Sequence, residues 1–350
     1  MKLNGFTIGL LVSFILSAVA HYIKAPFFTT TVQFIISCIA IIFVAGFLGK
    51  ATESVAHYSG ERLGGFLNAT FGNAAELIIS IFLVKDGMFG IVKASITGSI
   101  IGNLLLVLGL SLFLGGLKFK EQKFNQNLAS YNSSLMLLAC IALFVPAIFA
   151  SSLTSHENSR FSLIVSVLLI VAYLLWLLFS MVTHKNELAD EVVEHGEPAW
   201  SKGTSILMLF VATVMVAFES EWLVSTIESV AHQFGLSELF IGAFLIAIIG
   251  NAAEHSAAVL MARKNRIGAA VEIAVGSSLQ IALFVSPVLV LVSFLFGNPM
   301  NLVFTTFEIA AIGVAALIAK SISQDGRTNW YEGVLLIVVY LILGIAFFLV

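Results

Sequence analysis

Gly72-Asn73-Ala74-Ala75-Glu76 decides the reading of this chain, because the pentapeptide is written twice. It returns as Gly250-Asn251-Ala252-Ala253-Glu254, 178 positions later, and both copies lie inside long apolar runs. A glutamate in such a run is expensive wherever it faces lipid, so it points to an ion or proton site facing a protein interior. One copy in each half suggests a single binding site built from two related halves.

The composition around the pair is that of a membrane protein. Of 350 residues, 59% are hydrophobic and 11% charged, and the mean hydropathy is +1.04. A soluble domain is about a quarter charged. The lipid bilayer is therefore the expected partner, with little mass outside it. A net charge of −3 with no basic stripe excludes a nucleic-acid surface. Cys38 and Cys140 both fall in apolar runs and read as free buried thiols. Near the N-terminus, Lys2, an apolar run and Ala18-Val19-Ala20 resemble a signal peptide with a small-residue cleavage site. The stretch Phe6 to Ile23 is also long enough to span, and a retained first helix is expected.

Apolar runs near the ~20-residue spanning length occur at 5–23, 27–49, 63–84, 91–114, 130–150, 161–183, 204–224, 238–262, 268–296, 302–320 and 330–350. The expected fold is an all-α membrane protein with eleven transmembrane helices. With Lys2 in the cytoplasm, 13 of the 17 basic residues share its side, and only Lys24, Lys85, Lys93 and Arg160 fall outside. The positive-inside bias thus puts the N-terminus in the cytoplasm and the C-terminus outside a plasma membrane.

More than one motif repeats. Glu53-Ser54-Val55-Ala56-His57 recurs as Glu228-Ser229-Val230-Ala231-His232, shifted by 175, and Gly98-Ser99 returns as Gly276-Ser277, shifted by 178. The three-residue difference predicts one short insertion between His232 and Gly250. Each half then holds five helices. Five is odd, so the second half enters the membrane upside down, an inverted-topology repeat. The expected organisation is an extra N-terminal helix (1–25), a first repeat (26–184), an acidic cytoplasmic linker helix (185–203) and a second repeat (204–350).

Residues three apart share a helix face, so Asn73 with Glu76, and Asn251 with Glu254, each offer an amide and a carboxylate to one neighbour. Gly72 and Gly250 permit close helix approach and a local break that frees backbone carbonyls. Two such helices crossing near the midplane make an all-oxygen cage for a hard divalent cation, and Ca²⁺ takes about six to eight oxygens in tolerant geometry. Mg²⁺ resists dehydration and fits less well; the sequence has no Cys/His cluster for a thiolate or imidazole site. Protons and Ca²⁺ would compete for the same carboxylates, so occupancy by one excludes the other. Ser99 with Asn103, and Ser277 with Gln280, lie at helical spacing on the following helices and could orient the glutamates. His255, found only in the second half, suits a proton relay or a plain helix contact.

These motifs resemble the Ca²⁺/H⁺ exchanger (CAX) branch of the calcium/cation antiporters. The likeness rests on Gly72–Ser80, Gly250–His255, Gly98–Asn103 and Gly276–Phe284, and it covers essentially the whole chain. It implies that Glu76 and Glu254 bind Ca²⁺ and exchange it for H⁺. It also implies that Asn73, Asn251, Ser99, Asn103, Ser277 and Gln280 line the pathway, with helices two and seven as a sliding gate. The alanines around the glutamates favour protons over sodium as the counter-ion.

Blander readings stand beside these. A buried glutamate can staple helices, and the amides and hydroxyls can serve only as interhelical hydrogen bonds. Glu187, Asp190, Glu191, Glu194 and Glu197 form one face of a short helix, either solvated or regulatory at the cytoplasmic mouth. Glu308 reads as a paired interior residue in preference to a transport group, and Glu53 and Glu228 either guard the two entrances or are solvated helix ends. A Na⁺/Ca²⁺ exchanger is the alternative function, with a passive cation channel and an intramembrane metalloenzyme further off. No soluble-enzyme motif appears, and a homo-oligomer is compatible with the sequence.

Overall fold

The computed structural model describes residues 4–23, 25–184, 198–322 and 325–350, with the side chains of 60–63, 65, 66, 68, 69, 127 and 128 left aside. The acidic linker therefore lies outside the described residues. The helices in chain order are α1 (Gly5–Tyr22), α2 (Thr30–Phe71), α3 (Ala74–Lys85), α4 (Phe89–Phe119), α5 (Gln126–Phe149) and α6 (Ser155–Thr183). The second half has α7 (Lys202–Phe234), α8 (Glu238–Gly250), α9 (Ala252–Arg263), α10 (Ile267–Leu295), α11 (Thr306–Ile322) and α12 (Trp330–Leu349). A two-stranded ribbon pairs β1 (Glu121–Lys123) with β2 (Arg327–Asn329), antiparallel and with Gln122 opposite Thr328.

Among the described residues, eight helices are long and apolar enough to cross a membrane, and α8 with α9 makes a ninth span bent by 61°. Outward-facing Leu138, Ile141, Leu168, Leu175, Leu341 and Ile345 are exposed. Such surfaces are stable only against lipid. α4 and α10 are the most buried spans and form the middle of the bundle. Between apolar helices, association relies on close packing rather than on the hydrophobic effect, so small residues sit at the crossings. Gly98 of α4 is one: a Cβ there would lie 2.0 Å from the Ala243 carbonyl oxygen of α8. Gly242 returns the contact, 2.5 Å from the Ile91 carbonyl oxygen.

The loops gather at two ends. At one, Lys118 Nζ donates to the Arg263 carbonyl (3.0 Å), and Gln122 Nε2 donates to Ala262 (3.1 Å) and Asn265 (2.9 Å), beside the ribbon. At the other, Thr31 donates to Gln233 (2.7 Å), and Lys93 donates to Asn301 (2.7 Å) and to the Val303 carbonyl (2.8 Å).

The joint expected at residues 50–62 is not a loop. Helical structure runs from Thr30 to Phe71, yet the chain doubles back within it. A Cβ at Gly64 would lie 2.6 Å from the Ala56 carbonyl oxygen, whereas eight residues of straight helix would separate them by about 12 Å. The equivalent reversal in the second half uses a turn. Gly235 takes the left-handed conformation (φ 65°), and Ser237 caps α8 by accepting from Phe240 N (3.2 Å). Gly235, Leu236 and Ser237 are the three non-helical residues here, and they account for the inserted length expected between His232 and Gly250.

α1 packs on α2 and α7. Gly9 makes room for the Phe43 ring, and Phe14 and His21 pack on Trp222. Cys38 and Cys140 are free thiols.

Candidate functional site

Both repeated pentapeptides break a helix at the asparagine. Asn73 (φ −93°, ψ 16°) precedes α3, and Asn251 (φ −103°, ψ 6°) precedes α9, so the two halves share one local geometry. Asparagine favours the start of a helix because its side chain can cap the first free N–H groups. Neither side chain does so here, and each is left to reach a neighbour. Glu76 and Glu254 follow in the first turn of α3 and α9, where the positive end of the helix dipole favours an anion.

Two three-residue clusters result. In one, Ser99 Oγ donates to Glu76 Oε1 (2.5 Å), while Asn251 Nδ2 donates to Ser99 Oγ (2.9 Å) and Glu76 Oε2 (3.2 Å). In the other, Ser277 Oγ is 2.7 Å from Glu254 Oε2 and 2.8 Å from Asn73 Oδ1. Under the repeat the clusters map onto each other. Each contains the glutamate and serine of its own half and the asparagine of the opposite half. Glu76 is 1% exposed, and Asn73, Asn251, Ser99 and Ser277 are buried as well. Glu254 is half-buried.

The amides point differently. Asn251 turns its N–H groups to Ser99, Glu76 and the Ala247 carbonyl (2.9 Å). Asn73 turns its oxygen to Ser277 and donates to Gln280 Oε1 (2.6 Å). Gln280 has no partner of its kind in the first half, where Gly102 stands at the matching position. The Ser277 hydroxyl has one proton for two oxygens, so the second cluster needs a further proton or a reversed amide to complete its bonds.

The structure brings together nearly every residue singled out above, with two corrections. Asn73 and Glu76 do not serve one neighbour: the carboxylate meets α4 and the amide meets α10, and Asn251 and Glu254 part in the same way. Three-residue spacing holds only inside a helix, and each asparagine stands before one. Ser99 and Asn103 also part. A π-helical turn at Gly102–Val107 shifts the face, and Asn103 Oδ1 meets His255 Nε2 (3.1 Å), not Glu76. A matching π-turn at Ile281–Val285 follows Gln280. Such turns, rare elsewhere, cluster at functional sites.

Outside the centre, Glu308 is buried and accepts from the Thr305 N–H (2.7 Å) and hydroxyl (2.8 Å) at the start of α11, while Lys93 turns its Nζ to Asn301 and Val303. It is an interior residue bonded to its own helix start. Glu53 and Glu228 are exposed. No group of three His, Cys, Asp or Glu side chains able to hold a metal occurs among the described residues, so any cation must rely on amide, hydroxyl and backbone oxygens beside the two carboxylates. One buried acid escaped the sequence reading. Glu219 of α7 is fully buried, and it has no equivalent under either shift, since Val44 and Ile41 occupy those positions. Its signal in the sequence is a charge in an apolar run that no repeated motif includes.

A bundle of this kind, centred on two broken helices, is a multi-spanning membrane protein, and the chain belongs to the sodium/calcium exchanger protein family, whose profile matches residues 29–182 and 204–349. It is 50% identical over 325 residues to the Ca²⁺/H⁺ antiporter ChaA of Bacillus subtilis (strain 168), covering 91% of this chain and 93% of that one. It is 43% identical over 363 residues to a Ca²⁺/H⁺ antiporter of Aphanothece halophytica, covering 99% and 96%. The crystal structure of the selenium-substituted Ca²⁺/H⁺ antiporter protein YfkE superposes with a TM-score of 0.86 at 45% identity, over 99% of both chains. Within the family the chain is of the bacterial CAX type.

Proposed function

We propose that this protein is a secondary antiporter that exports cytosolic Ca²⁺ in exchange for protons by alternating access. One observation carries the reading: two buried or half-buried glutamates, one from each half, each bonded to its own serine and approached by the other half's asparagine. Glu76 and Glu254 bind Ca²⁺ in one facing state and protons in the other, with Asn73 and Asn251 completing the oxygen set. Ser99, Ser277, Asn103 and Gln280 orient them, and His255 serves the proton path through Asn103.

The proposed architecture has eleven spans. Besides the nine above, the returning end of α2 from Gly64 together with α3 crosses as the tenth, about 30 Å by helical rise, and α11 as a shorter eleventh at about 26 Å. α1 stands alone (1–25), and the repeats are 26–184 and 204–350 in opposite topology, joined by the cytoplasmic linker 185–203. The family match in two stretches of similar length supports this division. The N-terminus is cytoplasmic and the C-terminus extracellular in the plasma membrane, on the basic-residue count.

The test is proton-driven uptake of radiolabelled Ca²⁺ into inverted vesicles. Glu76→Gln and Glu254→Gln should each abolish it, and substantial surviving transport would remove the assignment. Imposing Na⁺ and H⁺ gradients separately on proteoliposomes decides the counter-ion: uptake driven by Na⁺ alone would mean a sodium exchanger.

A further inference from the structure

Glu219 has no part in the exchange proposed above. Its side chain is fully buried in a seam of three helices. Ser17 Oγ of α1 donates to Oε2 (2.8 Å), and Ser17 Oγ is 3.2 Å from Ser37 Oγ of α2. The other oxygen, Oε1, has no hydrogen-bond partner. The helices packed on α7 bring few titratable groups to this level: on α1 His21, stacked on Trp222, and Tyr22, edge-on to it; Cys38 beside Ser37 on α2, with Lys50, Glu53, His57 and Tyr58 three or more turns further along; Glu76 and Lys85 at the two ends of α3. None bonds to a Glu219 oxygen, no neighbouring charge acts on it, and Glu221, two residues along α7, is exposed.

A carboxylate in such a place would be an uncompensated charge with one hydroxyl donor, in a seam closed to solvent. The cost of burying a lone ion is removed by taking up a proton. We propose that Glu219 is a proton-binding site separate from the transport centre, and that while it holds its proton it fastens α1 to the α2–α7 pair. Loss of the proton leaves a charge that only water or a cation can satisfy, and either requires α1 to lift from the seam. The helix outside the repeats thereby becomes a strap across the two helices expected to slide. This rests on the burial of Glu219 and on the membrane setting, not on the assignment of Ca²⁺ to Glu76 and Glu254.

Infrared difference spectroscopy on the full chain in liposomes tests it. With Ca²⁺ saturating, a carboxylic-acid C=O band should remain at the high-frequency end of its range: in the neutral acid Oε2 carries the proton and donates it to Ser17 Oγ, so the carbonyl is Oε1, which accepts no hydrogen bond. Glu219→Gln keeps the shape and the Ser17 contact and should remove that band; identical spectra for the two proteins overturn the proposal. Spin labels at Val12→Cys on α1 and Phe210→Cys on α7, with Cys38 and Cys140 replaced by serine, then read the strap. Their separation should grow as rising pH bleaches the band, and stay constant in Glu219→Gln. A constant separation while the band bleaches overturns the fastening, as does a band that outlasts the pH range in which the protein stays folded.

Discussion

The two halves enter the candidate site by different routes. In the second, the inserted Gly235-Leu236-Ser237 gives α8 its own start, and Gly242 then seats on α4 against the Ile91 carbonyl. In the first, with no inserted residues, α2 doubles back while still helical, and Gly64, the counterpart of Gly242, lies against the Ala56 carbonyl of its own chain. The partner glycines differ accordingly. Gly98 is pressed on Ala243, whereas among the described residues nothing lies within 4 Å of the Cβ position at Gly276. The described contacts of the two crossings therefore differ. Sequence symmetry thus sits in an asymmetric structure, as an alternating-access protein requires in any single state.

Four experiments would break or sharpen this comparison. The largest effect belongs to the carboxylates, where the halves should behave alike. Glu76→Gln and Glu254→Gln each remove a charged ligand worth about 1.5–3 kcal/mol, so Ca²⁺ binding measured by calorimetry should weaken by roughly 10- to 100-fold. Deleting Gly235–Ser237 would make the second half imitate the first. The missing residues turn α8 about 60° out of register, and transport should fall at least ~10-fold as Gly242 leaves α4.

The glycine pair separates stability from turnover. Gly98→Ala forces a Cβ onto a backbone oxygen and should cost about 1–3 kcal/mol in thermal unfolding. Gly276→Ala should change stability by less than about 0.5 kcal/mol. It should still slow transport if this crossing seals in the opposite state, and wild-type turnover would show that it never does. The smallest effect concerns the amides. Gln280→Ala removes the partner of Asn73 alone, at about 0.5–1.5 kcal/mol, and should weaken Ca²⁺ binding less than Asn251→Ala, which loses three contacts.

Much of this was legible in the residues. The pentapeptides located both helix breaks, and the 175 and 178 shifts located the inserted turn to within its interval. What could not be read follows from how chains close on themselves. Spacing rules assume continuous helix, so the parting of Asn73 from Glu76 and of Ser99 from Asn103 was invisible. The joint at 50–62 has no proline and remains helical through its reversal. Glu219 was visible as a charge but silent in the repeat, and only packing shows that Ser17 and Ser37 close over it.

The exchanged asparagines also tie the two halves of the chain together. Asn251 bonds to Glu76 and Ser99, and Asn73 to Ser277, so each cluster is incomplete without the opposite half. The resulting constraint is a crosswise one: across relatives, changes at Asn73 should be answered at Ser277 or Glu254, and changes at Asn251 at Ser99 or Glu76.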